Sequence, residues 1–410
     1  MEKFLEKVKK SSRVLLTLDG SKRNAILLQM ADALRANTPN IIEANKKDMQ
    51  NAKELELSNA MLERLMLDEK RIEAMAKSIE EIAALRDPIG RVLDGWINEN
   101  ALKIEKVSIP IGVVSIIYES RPNVTSDTAA LCFKSSNGCV LKGGKEALES
   151  NTIIAEILQQ VLVANNLPKE LISLLPDYSR EGVAKLIKMD RFVDLIVPRG
   201  GEQLVRYIST NSSIPVIKHD KGLCHIYVHR KANIEEALSI VVNAKTQRPG
   251  VCNAMETMIV DEAIANQFLP MAKERFDRLN TKLKGCSKAK ESIEIEFADD
   301  EAFDSEYLDN ILNIKVVDGV DGAIEHIRRF GSGHSESIIT QDTSVAEYFL
   351  NSIDAACVYL NASTRFTDGG VFGFGAEVGI STNKLHARGP MGVEGLTTYK
   401  YKIYGDGQIR

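Results

Sequence analysis

The hydrophobic positions change their period along the chain, and each change marks a new kind of element. From Met1 to about Arg86 they fall at helical spacing: Ile26, Leu27, Met30 and Leu34 line one face of "GSKRNAILLQMADALRANT", and "DEKRIEAMAKSIEEIAALRD" repeats the pattern. The charges between them read as a solvated face with no chemistry assigned. "RVLDGWINENALKIEKVSIP" then reads as a hairpin turning at Asn98-Glu99-Asn100.

At "IGVVSIIYES" alternation gives way to an unbroken β-branched run, the mark of a parallel strand covered on both faces. "SDTAALCFKSSNG" follows as a helix, with Ser126 as its N-cap and Gly138 as its stop. Strands "CVLK", "LISLLP", "FVDLIVP" and "IPVIK" then alternate with helices "NTIIAEILQQVLVANN", "REGVAKLIKM" and "RGGEQLVRYISTN". Such alternation builds βαβ crossovers and a parallel, doubly wound sheet. "LCHIYVH" and "NIEEALSIVVNAKTQ" lead to a second alternating stretch, from "ETMIV" to "ACVYLN", read as a second α/β domain. The Gly-rich "DGGVFGFGAEVGISTNKLHARGPMG" reads as loop and "LTTYKYKIYG" as a closing strand. There is no internal repeat and no low-complexity linker.

Composition narrows the partners. A length of 410 residues calls for two or three units, and 44% hydrophobic content supplies their cores. The net charge of -5 argues against nucleic acid as principal partner, although local basic pockets remain possible for phosphate. The six cysteines form no C-x-x-C pair and the histidines no H-E-x-x-H, so neither a disulfide scaffold nor a metal site is expected. The charged N-terminus and the lack of a spanning apolar stretch point to a soluble, cytoplasmic protein.

Three loops leave predicted strand ends with groups suited to a ligand: "ESRPNVT", "LKGGKEA" and "VPRGGEQ". Gly143-Gly144 and Gly200-Gly201 would let backbone approach a dinucleotide, although neither is G-x-G-x-x-G. Lys142 and Lys145 are either a solvated pair or partners of a ribose phosphate. Asn123 is either a turn residue or an oxyanion donor. Cys252 follows the Arg248-Pro249-Gly250 turn in "QRPGVCNAMET". It is either a packing thiol or a nucleophile aimed by that turn.

"PIGVVSIIYESRPNVTSD", "VLKGGKEALESN", "QRPGVCNAMET", "HSESIIT" and "GAEVGISTNKLHARGPMGVEGLTTYKY" resemble the aldehyde dehydrogenase superfamily, in its branch that reduces an acyl phosphate. The resemblance runs from about residue 10 to the C-terminus; only "KLKGCSKAKESIEIEF" has no counterpart. It implies an aldehyde dehydrogenase-like α/β fold. A Rossmann-type NADPH-binding domain would span 1–235, with an oligomerisation hairpin at 87–109. A catalytic domain would span 236–375, and 376–410 would return to the first domain and end in an oligomerisation strand.

The same resemblance makes Cys252 the catalytic nucleophile. Asn123 shares the oxyanion with the Cys252 N–H, Lys142 meets the adenosine ribose and Glu306 the nicotinamide ribose. Many NAD-dependent members carry a glutamate where this chain has Lys145; a lysine there attracts a 2′-phosphate, so NADPH is expected over NADH. Hydrolytic members carry a glutamate where Lys218 or His219 falls, and its absence suits a thioester meant for hydride. The implied reaction reduces L-glutamyl 5-phosphate to L-glutamate 5-semialdehyde with release of phosphate, the second step of proline biosynthesis from glutamate. Arg121, Arg365, Lys384, His386 and Arg388 are candidates for the substrate's anionic groups, each with a surface ion pair as the alternative. A homo-oligomer and a functional association with glutamate 5-kinase are also implied. The rival readings are an acyl-CoA reductase on the same fold and a nucleotide-binding protein in which Cys252 only packs.

Overall fold

The computed structural model describes residues 1–218 and 221–410. It divides into two compact units: Met1–Lys218 with Gly373–Ile380 and Pro390–Arg410, and His219–Phe372 with Ser381–Gly389.

The first unit opens with the helices read from periodicity, among them Gly20–Ala36, Thr38–Glu54 and Glu69–Ala84. Ile26, Leu27, Met30 and Leu34 are all buried. The starts of two of these helices are fixed by side chains, Asp19 accepting from the Lys22 N–H and Asp68 from the Arg71 N–H. Strands β1 (Val92–Ile97) and β2 (Lys103–Pro110) form the expected antiparallel hairpin. Asn98 Oδ1 pins its turn by accepting from the Asn100 and Leu102 N–H groups. The C-terminal strand β16 (Thr397–Tyr404) pairs antiparallel with β2 from Pro110 to Lys103, completing a three-stranded sheet. Trp96, Ile97, Tyr401 and Ile403 of that sheet are exposed.

The remaining strands of this unit, β3 (Val113–Tyr118), β4 (Gly138–Lys142), β5 (Ile172–Leu174) and β6 (Leu195–Arg199), form a parallel sheet in the order β5-β4-β3-β6. Every residue of β3 is buried, as the unbroken apolar run requires. Chain order reverses at β3: β4 and β5 lie to one side and β6 to the other. The loops after β3 and β6 therefore flank a topological switch point.

Three local expectations are corrected. Ser126 is not an N-cap: the helix runs Asn123–Lys134 from Pro122, and the Ser126 hydroxyl donates to the Asn123 carbonyl inside it. Gly138 does not stop that helix but opens β4; the stop is Ser135–Ser136, where Ser136 takes a left-handed φ of 60°. "IPVIK" yields a single bridge, Ile196 to Val216, and no strand.

The second unit is built on a seven-stranded parallel sheet, ordered β10-β9-β11-β8-β7-β12-β13. Its strands are β7 (Cys224–Val228), β8 (Met255–Asp261), β9 (Lys282–Gly285), β10 (Glu296–Phe297), β11 (Ile311–Val317), β12 (Ser335–Ile339) and β13 (Cys357–Leu360). The segment from 219 to 235, read from sequence as the end of the first domain, belongs to this unit because β7 pairs with both β8 and β12. "KLKGCSKAKESIEIEF" forms β9, the helix Ser287–Ser292 and β10 at one edge. Phe268, Phe276, Leu238 and Val241 pack over one face of the sheet, with Tyr227, Ile324 and Phe349 over the other. The two-residue strands β14 (Ile380–Ser381) and β15 (Gly389–Pro390) pair where the chain passes between units. Among the described residues no helix is long and apolar enough to cross a membrane.

Candidate active site

The sequence-predicted residues divide between the units. Arg121, Asn123, Lys142, Gly143, Gly144, Lys145, Gly200 and Gly201 lie in the first; Cys252, Glu306, Arg365, Lys384, His386 and Arg388 in the second. Lys218 ends the first unit, and His219 lies outside the described residues.

In the first unit the three loops gather at the carboxyl edge of the parallel sheet, because β3, β4 and β6 all run the same way. Two carboxylates tie them. Glu146 Oε1 accepts from the Ser120 N–H and hydroxyl, both at 2.7 Å, joining the β3 and β4 loops. Glu119 Oε2 accepts from the Gly201 N–H at 3.0 Å, joining β3 to β6. Ser120 adopts a left-handed φ of 40° to make this turn. Tyr118, Thr125 and Asn151 form a buried hydroxyl–amide chain at 2.7 and 2.9 Å that fixes the first turn of the Asn123 helix against the helix Leu148–Ala164.

Asn123 is exposed on that first turn, and its Nδ2 donates to Asp127 Oδ2 at 3.0 Å. An amide nitrogen has two hydrogens. Asp127 takes one and fixes the plane in which the other points. Burial raises the Asp127 carboxyl to about 6, against the hydrogen bond from Asn123 and the charge of Arg199. Arg199 itself pairs with Glu377 at 3.3 Å.

Lys142, at the end of β4, is half-buried, and burial lowers its pKa against the attraction of Glu146, Glu119 and Asp177. Lys145 is exposed, on the first turn after Gly144. Glycine lets side chains close in beside them: a Cβ on Gly143 would lie 2.1 Å from Asn151 Nδ2, and one on Gly200 2.6 Å from Glu119 Oε2, so either would displace the neighbouring side chain. Asn151 Nδ2 is buried and without a hydrogen-bond partner. An orphaned donor, two crowded glycines and two lysines at one strand edge form an anion-seeking cradle.

In the second unit Cys252 stands just before β8, at the amino edge of its sheet, partly exposed. Its neighbours hold its backbone on several sides. The Cys224 thiol donates to the Cys252 carbonyl at 3.2 Å. A Cβ on Gly222 would fall 2.2 Å from that carbonyl oxygen and 2.5 Å from the Cys252 Cα. Asn253 donates to the Thr367 carbonyl at 2.7 Å, and its own carbonyl accepts from the Thr364 hydroxyl at 2.8 Å. Burial holds the Cys224 thiol well above its ordinary pKa, so this second sulfur stays protonated.

Beneath the turn, Lys245 and Glu256 pair at 3.0 Å with both side chains buried. Burial pushes the Glu256 carboxyl to about 7 against the pull of Lys245, and Glu256 also accepts from the Leu308 backbone, two residues beyond Glu306. Arg365 is half-buried, with its Nε on Gln247 Oε1 at 2.9 Å. Lys384 and Arg388 both engage Asp354, Arg388 at 2.7 Å, and hold its carboxyl below the usual range. His386 is exposed at a left-handed φ of 70° between them.

Sequence reasoning missed Gly222, Asp127 and the Lys245–Glu256 pair. Asp127 had a signal, since it lies one helical turn from Asn123. Gly222 had only the glycine of "KGLC", and Lys245 and Glu256 only their symmetric placement about the turn.

The chain matches the aldehyde dehydrogenase family model over residues 1–288. It is 68% identical, over the full length of both chains, to gamma-glutamyl phosphate reductase of Sulfurimonas denitrificans. A crystal structure of gamma-glutamyl phosphate reductase from Thermotoga maritima superposes with a TM-score of 0.96 at 42% identity, covering 100% of this chain and 99% of that one. An acetylating aldehyde dehydrogenase from Geobacillus thermoglucosidasius shares the fold at a TM-score of 0.71 and 19% identity, covering 100% of this chain and 97% of that one. The chain belongs to the aldehyde dehydrogenase family of oxidoreductases, in the branch of the gamma-glutamyl phosphate reductases.

Proposed function

We propose that this enzyme reduces L-glutamyl 5-phosphate to L-glutamate 5-semialdehyde in proline biosynthesis, with NADPH as reductant and Cys252 as nucleophile. The observation that carries this reading is the setting of Cys252: a partly exposed thiol at a turn, its backbone buttressed by Gly222, Cys224 and Asn253, in a chain 68% identical to a named gamma-glutamyl phosphate reductase.

The Cys252 sulfur attacks the acyl carbon and the carbonyl oxygen gains charge, assigned here to the Cys252 N–H and the free hydrogen of the Asn123 amide. Collapse expels inorganic phosphate and leaves a thioester on Cys252. Covalent capture divides one hard displacement into two easier steps. The strand-edge cradle fits a dinucleotide phosphate, with Lys142 on the ribose and Lys145 toward a 2′-phosphate. Bound NADPH would supply hydride to the thioester carbon. Cys252 then departs as thiolate and the aldehyde is released. Lys218 or His219 stands where hydrolytic relatives place a carboxylate, so no carboxylate activates water against the thioester.

The exposed Trp96, Ile97, Tyr401 and Ile403 of the three-stranded sheet support assembly with a second copy of the chain. The decisive experiment runs the reaction backwards with semialdehyde and NADP⁺ in excess over enzyme, with and without phosphate. Without phosphate NADPH should stop at no more than one equivalent per enzyme, the amount that leaves Cys252 as thioester; with phosphate it should continue through many turnovers, and C252A should abolish both. Sustained NADPH formation at the same rate in both mixtures would contradict acyl transfer to phosphate.

A further inference from the structure

The turn carrying Cys252 is stitched at both ends to one short segment, residues 363–367. Gln247 Oε1, at the start of the turn, accepts from Arg365 Nε at 2.9 Å. Asn253, after the cysteine, donates to the carbonyls of Thr367 at 2.7 Å and Arg365 at 3.4 Å, and accepts from the Thr364 hydroxyl at 2.8 Å. Arg365 thus spans the turn, its side chain tied to one end and its backbone to the other, with Cys252 between. Using Nε on Gln247 leaves the terminal guanidinium nitrogens for a further partner.

We infer that Arg365 is the cation that keeps the Cys252 sulfur as a thiolate before substrate arrives, instead of serving as a ligand for the substrate's anionic groups. The inference rests on the nucleophile reading above. Burial and then Arg248 disfavour the charged form of Arg365, while Asp368, then Cys252 and Cys224, lie within electrostatic range and favour it. A half-buried guanidinium crowded by a second cation gains from an anion beside it, and a cysteine thiolate is such an anion. Of the other charges that reach Arg365, Arg248 is exposed and Asp368 is an anion that would oppose a thiolate, while Glu256 nearby is paired with Lys245. The neighbouring Cys224, held neutral first by burial, feels the carboxylates of Glu336, Glu256 and Glu306.

The test uses the full chain without substrate or cofactor. Iodoacetamide alkylates a thiolate and loses iodide, so the rate of Cys252 alkylation against pH, followed by mass spectrometry, reports the thiol pKa. Wild type, R365K and R365Q are compared. The backbone ties to Asn253 do not depend on the guanidinium, so the turn is retained. R365Q should move the midpoint up by about 1–2 units and slow alkylation at pH 7 by about 10–100-fold. R365K should move it by less than half as much. In turnover R365Q should lose kcat, recover it at higher pH, and hold KM within about threefold. An unmoved midpoint with a KM raised tenfold or more would make Arg365 a substrate ligand and overturn the inference, leaving the nucleophile reading in place. Turnover retained by C252A would remove that reading whatever the midpoint.

Discussion

Lys245 and Glu256 form an ion pair at 3.0 Å with 0% and 2% of their side chains exposed, and the cysteine turn is the span between them. Lys245 closes the helix Ile234–Thr246, and Glu256 is the second residue of β8. The pair therefore fixes the distance between the two ends of residues 247–254. Burying two charges is costly, and a buried pair adds little net stability over an apolar pair of similar size.

Breaking the pair from one side should consequently be worse than removing it whole. K245M leaves Glu256 buried beside Met and should destabilise the fold by about 3–5 kcal/mol. The double variant K245M/E256M should recover most of that stability. Urea denaturation of the two variants checks this. A positioning role requires that the double variant, though stable, lose kcat, because the turn is no longer held at a fixed span. Full activity in a stable double variant would show that the pair serves stability alone.

Gly222 offers a sharper probe of the same turn. Its missing side chain is occupied by the Cys252 backbone, whose Cα would sit 2.5 Å from an added Cβ. In G222A one of the two must move, and both lie in the backbone beside the proposed nucleophile. A displacement of about 1 Å costs on the order of 100-fold in rate. We expect G222A to fold with wild-type circular dichroism and to lose about 100-fold in kcat. A loss under threefold would show that the turn yields without consequence.

Asp127 makes a prediction in pH. Burial raises its carboxyl from the ordinary carboxylate range to about 6, and Oδ1 is buried without a partner. The folded state thus holds this proton more tightly than the unfolded chain. The associated stability is fully present below about pH 4 and is lost as pH rises through about 6. The shift corresponds to roughly 2–3 kcal/mol. D127N carries no charge at any pH and keeps an acceptor for Asn123. It should match wild type in melting temperature at pH 4 and exceed it at pH 8. A melting-temperature difference that does not change with pH would refute the buried charge.

These residues show what the sequence made legible and where it fell silent. β3 was readable because an apolar run buried on both faces has no polar alternation to obscure it. Cys252 was singled out by its turn and its flanking motif, and the structure places it partly exposed at that turn. "IPVIK" misled because an apolar pentamer carries strand propensity whether or not a neighbour pairs with it, and here only Val216 does. Ser126 misled because a capping residue and a hydroxyl bonding back inside a helix look alike in one dimension. The β7 segment was grouped with the wrong domain because a parallel strand's partners, here β8 and β12, follow it by tens of residues. Gly222 and the Lys245–Glu256 pair depend on such long-range placement and leave almost no local trace.

In the proposed reading Lys145 selects NADPH over NADH. It is exposed on the turn after Gly144, and the nearest carboxylate in sequence, Glu146, is already engaged by the Ser120 N–H and hydroxyl. The lysine charge is therefore the uncommitted one facing outward. At about 4 Å a unit charge pair is worth roughly 4 kcal/mol at a surface-like dielectric before desolvation, and an exposed site realises only part of it. K145E replaces attraction for a 2′-phosphate by repulsion and restores a hydrogen-bond acceptor for a 2′-hydroxyl. The ratio of kcat/KM for NADPH to that for NADH should fall by about 100-fold at low salt, mostly through KM for NADPH. The wild-type preference should itself weaken as ionic strength rises, since an exposed pair is screened over about 10 Å at 0.1 M salt. K145A should fall between the two. A ratio unchanged in K145E would place the 2′-phosphate elsewhere and leave Lys142 or the Gly200–Gly201 turn to account for it.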